Sequence, residues 1–71
     1  MRDKLYQALS ARYGAEIVDA KFKIDTFLDK TIIIPEHIDI TGEIDKLLQI
    51  ITDAEDKMAT LRQLYGRKET D

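Results

Sequence analysis

The sequence predicts an all-α fold: an antiparallel two-helix hairpin that assembles as a homo-oligomeric helical bundle. Three observations predict it. Apolar residues recur at helical spacing along both halves of the 71-residue chain. A short segment holding the chain's only proline separates the two halves. Two helices joined by a short link lie antiparallel, because the chain must turn straight back. The assembly follows from size. A chain this short buries too small a fraction of its surface for a lone core to hold it firmly. Cysteine is absent and histidine occurs once, so neither disulfides nor a zinc site of the usual N/S kind is expected to supply the difference. Association of copies is the remaining aid.

The first helix is expected over about residues 3–28. Leu5, Leu9, Tyr13, Ile17, Ala20, Ile24 and Phe27 step by 4, 4, 4, 3, 4 and 3, which holds them on one face. The opening run of fours exceeds a heptad and implies a locally altered supercoil. Gly14 falls inside this pattern. It reads as a tolerated helical glycine, or as a point of close approach for a crossing helix. Lys21 with Asp25, and Asp19 with Lys23, are spaced for ion pairs along the helix.

The link is expected over about 29–36. Its "TIIIPEH" stretch sets Ile32, Ile33 and Ile34 before Pro35. β-Branched residues ahead of a proline favour extended backbone, in which successive side chains face opposite ways. Ile32 and Ile34 are then placed to close the end of the hairpin while Ile33 faces another subunit, or the segment pairs edge-to-edge with a second copy. In the alternative, all three fold over the hairpin's own end.

The second helix is expected from about His37 to Gly66, with a frayed tail at 67–71. Pro35 near the first helical position, with Glu36 and Asp39 at the positive end, favours this start. Thr41 as an N-cap is the alternative. Ile44, Leu47, Ile51, Ala54, Met58, Leu61 and Tyr65 step by 3, 4, 3, 4, 3 and 4, an a/d heptad pattern of the coiled-coil kind. Leu48, Ile50 and Leu64 flank that stripe and widen it beyond what one helix covers. Tyr65-Gly66-Arg67-Lys68 reads as a glycine stop with cations beside it. The residues expected to carry self-association are therefore Ile33, Ile44, Leu47, Leu48, Ile51, Met58 and Leu61. The whole chain, 1–71, reads as a single domain.

The composition speaks against most other roles. It is 44% hydrophobic and 35% charged, too apolar for a disordered chain. The net charge of −3 comes without a basic stripe, so nucleic acid is not an expected partner. No apolar run approaches the length of a membrane span, and the N-terminus lacks the apolar core of a signal peptide, so a cytoplasmic protein is expected and no membrane partner.

Catalytic motifs are absent as well. His37 beside Glu36 resembles a base oriented by a carboxylate, but Ser10 is the only serine and there is no cysteine to act as nucleophile. His37 reads instead as a helix-start residue making a local hydrogen bond. Asp53, Glu55 and Asp56 crowd one turn. A hard cation needs oxygens converging from several elements, and Asp53 is spaced to pair with Lys57, so a solvated face is the simpler reading. Tyr6, Tyr13 and Tyr65 read as rim residues of the core. No enzyme activity, cofactor or metal is expected.

The stretches "LYQALSARYGAEIVDA", "PEHID" and "DAEDKMATL" together resemble a group of small helical proteins from tailed bacteriophages, notably marine ones. They span most of the chain. The link departs from the group's pattern, since Ile33, Ile34 and Pro35 stand where glycines are expected. The resemblance implies a viral origin, hence the host cytoplasm or a virion as location, and nothing catalytic. Two functional expectations result. One is a non-enzymatic, self-associating hairpin with a structural or protein-interaction role. The other is a small acidic protein that binds a host protein. Its variant, a mimic of nucleic-acid charge, would show a one-sided acidic face, and Lys46, Lys57 and Arg62, alternating with the acids on the second helix, weaken that variant.

Overall fold

The computed structural model describes residues 1–29 and 39–66, and everything below concerns these. They form two α-helices, α1 (Arg2–Leu28) and α2 (Ile40–Tyr65), which pack against each other. There is no strand among the described residues. The isoleucine run, Pro35 and His37 lie outside them.

α1 begins with little help from its own side chains. Met1 is its N-cap and offers no side-chain hydrogen bond; the Leu5 amide bonds the Met1 carbonyl at 3.0 Å, and Asp3 lies in the first turn. An acid there meets the exposed amides and the positive end of the helix dipole. At the other end the chain tightens. The Asp29 amide donates to the Thr26 carbonyl at 3.2 Å, and the Thr26 hydroxyl donates back to the Phe22 carbonyl at 2.9 Å.

α2 is better capped. Asp39 is its N-cap, with a side chain accepting from the Gly42 amide at 3.0 Å and a carbonyl accepting from the Glu43 amide at 2.9 Å. This corrects the expected start near His37: the helix begins at Ile40. The Asp39 side chain takes the Gly42 amide, one of the first-turn amides that have no carbonyl partner within the helix. Thr41, the other candidate cap, falls inside the first turn. A Cβ on Gly42 would run into the Asp39 carboxylate, so the glycine leaves room for the cap. The far end differs from the expected glycine stop in its geometry. Gly66 is extended, at φ −65° and ψ 148°, not left-handed, and its amide bonds the Arg62 carbonyl at 2.8 Å. Close approach explains the glycine there, since a Cβ would collide with that same carbonyl.

The pairing is antiparallel. The Arg2 guanidinium donates to the Tyr65 carbonyl at 2.7 Å, joining the start of α1 to the end of α2. Further along, Lys57 lies over the Tyr13 ring at 5.8 Å. The core is thin. Ala20, Ala54 and Leu47 are the buried hydrophobic residues, at 1%, 2% and 9% exposure. Two of the three are alanines, and small residues at a helix contact let the axes approach closely. Leu9, Tyr13, Ile17, Ile24 and Phe27 of α1, with Ile44, Ile51, Met58 and Leu61 of α2, are half-buried around that line. Two cylinders touch along one line only, so the edges of each apolar stripe stay open to water.

Candidate interaction surfaces

The residues expected to carry self-association take up different positions. Ile44, Leu47, Ile51, Met58 and Leu61 are buried or half-buried along the side of α2 that faces α1. Within one chain they form the seam of the hairpin itself. Leu48 is the member left open, at 49% exposure. Ile33 lies outside the described residues. Ile50 and Leu64 are exposed on the opposite flank of α2 from Leu48.

A second surface lies at the open end of the hairpin. Leu5, Tyr6, Leu9, Leu61 and Tyr65, with Met1 and Arg2, line an apolar recess of about 500 Å³. Leu5 and Tyr65 end their stripes here and are exposed, because neither helix continues far enough to cover them.

The third surface was not visible in the inner stripe. Ala8, Ala11, Ala15, Val18 and Phe22 are all exposed, Val18 at 69% and Phe22 at 68%. At 3.6 residues per turn they lie roughly 120–180° round α1 from the buried Ala20, on the side turned away from α2. They step by 3, 4, 3 and 4, which is a heptad seam in its own right. Three of the five are alanines, which a search for large apolar residues passes over; the signal that finds them is the second 3-4 spacing. Ion pairs border the two large residues. Lys21 meets Asp25 at 2.9 Å and Lys23 meets Asp19 at 3.0 Å, as their spacing predicts.

The corresponding outer side of α2 is polar. Asp45, Gln49, Thr52, Asp56 and Gln63 are exposed there. The expected pair between Asp53 and Lys57 is not formed. Asp53 accepts from the Gln49 amide at 2.7 Å, and Lys57 turns to Tyr13 of α1 instead. A cation over an aromatic face is stabilised by the ring quadrupole, and the lysine stem covers apolar surface on the way. Asp53, Glu55 and Asp56 are exposed, and no group of three or more Asp, Glu or His among the described residues is placed to hold a metal ion. No described helix is long and apolar enough to cross a membrane.

No protein-family model matches the chain, and neither a curated protein nor a solved structure matches it.

Proposed function

We propose that the protein is a non-enzymatic, self-associating helical hairpin with a structural or protein-interaction role. One observation carries this reading. Among the described residues no large side chain is fully buried, while Val18, Phe22, Leu28, Leu48, Ile50 and Leu64 are all well exposed. A two-helix chain with so thin a core gains stability by covering such residues with another copy, because burial of apolar surface is the main favourable term in association. The resemblance to tailed-phage proteins is part of the proposal. The host cytoplasm or a virion is the location proposed with it.

The test is absolute mass by light scattering, with helicity and melting followed over a concentration series. A dimer or larger species, with a melting temperature that rises with concentration, is the expected result. A folded monomer at every concentration overturns it. The exposed residues would then await a different protein, which is the role of a small acidic binding module.

A further inference from the structure

We propose that the surface joining two copies is the outer face of α1, and that the two α1 helices pair antiparallel about a two-fold axis near Glu16 and Ile17. The inference rests on the self-association reading above and assigns it a surface, an occupant and an orientation.

The size gradient along the seam decides the orientation. Ala8, Ala11 and Ala15 occupy its N-terminal part, and Val18 and Phe22 its C-terminal part. In a parallel pair each residue meets its own equivalent. Phe22 would meet Phe22 and Ala11 would meet Ala11, so the helices would be forced apart at one end and leave a gap at the other. Close packing at uniform density disfavours both. In an antiparallel pair the seam is complementary to itself. Phe22 of each copy faces Ala11 of the other, and Val18 of each faces Ala15 of the other. Each of these four layers then holds one large and one small side chain, while Ala8, at the end of the seam, falls level with Asp25 of the other copy, which Lys21 already pairs on its own helix.

The charges agree independently. Arg12 and Asp19 stand seven residues apart on one border of the seam, the heptad position that flanks an antiparallel core. The register that sets Phe22 on Ala11 also brings Arg12 of each copy opposite Asp19 of the other, twice by symmetry. A parallel pair in the heptad register sets Arg12 opposite Gln7 and Asp19 opposite Gly14, with no opposite charges. Asp19 already meets Lys23 on its own helix, so an Arg12 arriving from the second copy completes a three-membered network. A contact of this kind uses the same patch on both copies and closes at two. The polar side of α2 then faces outward on both sides of the dimer.

The decisive experiment measures mass and dissociation constant for the full-length chain and three variants. Val18→Asp should weaken dimerisation at least about a hundredfold, since it buries a charge in the centre of the seam. Leu48→Asp, on α2, should leave the constant within about twofold, since Leu48 lies outside the proposed surface. Arg12→Asp should weaken it about three- to tenfold by setting like charges opposite each other, and adding Asp19→Arg should recover most of that loss. Orientation is read separately by oxidative cross-linking, which the cysteine-free chain allows. Chains carrying Ala15→Cys mixed with chains carrying Val18→Cys should give the mixed disulfide. Disulfides only between like chains would overturn the antiparallel arrangement, and this readout stands even if Val18→Asp fails to fold. Assembly that survives Val18→Asp but is lost in Leu48→Asp overturns the α1 surface and leaves self-association standing. A wild-type chain that stays monomeric overturns both.

Discussion

α1 and α2 are nearly equal in length and pack on each other, yet they present opposite characters to the outside. Seen from solvent, α2 shows Asp45, Gln49, Thr52, Asp56 and Gln63. α1 shows Ala8, Ala11, Ala15, Val18 and Phe22, a run of apolar residues between Lys4 and Asp25. α2 is therefore amphipathic in the ordinary sense, one side apolar and one side wet. α1 is apolar on two opposite sides, the pattern of a helix placed between neighbours. The difference teaches that the hairpin leaves apolar surface open in two ways: α1 as a separate seam on its outer side, and α2 at the edges of its inner stripe, at Leu48, Ile50 and Leu64.

The ends differ in the opposite sense. α2 is capped by Asp39 and closed by Gly66, whereas α1 begins at Met1 without a side-chain cap. Side-chain capping at Asp39 and close approach at Gly66 mark both ends of α2. In proteins most helical stability comes from the packing of an apolar face.

Substitutions can break or sharpen this contrast. The largest effect is expected on the shared inner side. Leu47→Ala should cost about 2–5 kcal/mol in urea denaturation followed by circular dichroism. A loss below about 1 kcal/mol would mean that the inner seam is not the principal core. Next comes the cap. Asp39→Ala should cost about 0.5–2 kcal/mol, and amide exchange should show the first turn of α2 opening while α1 keeps its protection. On α1, Gly14→Ala should raise stability by about 0.8–1 kcal/mol, because a Cβ there meets no other atom within 4 Å and alanine is the better helix former. A melting temperature that falls instead would show a neighbour resting on Gly14. The smallest change is expected on the wet side of α2. Gln49→Ala removes the side-chain bond to Asp53 and should cost only about 0.2–0.5 kcal/mol, a difference visible in helicity more than in melting.

Much of this was legible in the sequence, and for identifiable reasons. The inner stripe of α1 was read residue by residue, because a 3.6-residue repeat leaves little choice of face for Leu9, Tyr13, Ile17, Ala20, Ile24 and Phe27. The pairs Lys21–Asp25 and Asp19–Lys23 follow from spacing alone, since both partners stand on one exposed face. Asp53 and Lys57 share that spacing and do not pair. Gln49 competes for the carboxylate from one turn earlier, and Tyr13 attracts the lysine from the other helix. Spacing within one helix cannot register a competitor on another. The start of α2 was misplaced because Pro35, Asp39 and Thr41 each carry a helix-start signal. Only the structure shows that the Asp39 side chain takes the Gly42 amide.

The sequence by itself determined two amphipathic helices and their inner faces, because these depend on local spacing. Tertiary structure alone decided which apolar residues the hairpin covers and which it leaves open. Burial is a property of the neighbours a residue meets: Ile44 and Leu61 are half-buried against α1, while Val18 and Phe22, no less apolar, lie on the far side of the same hairpin in water.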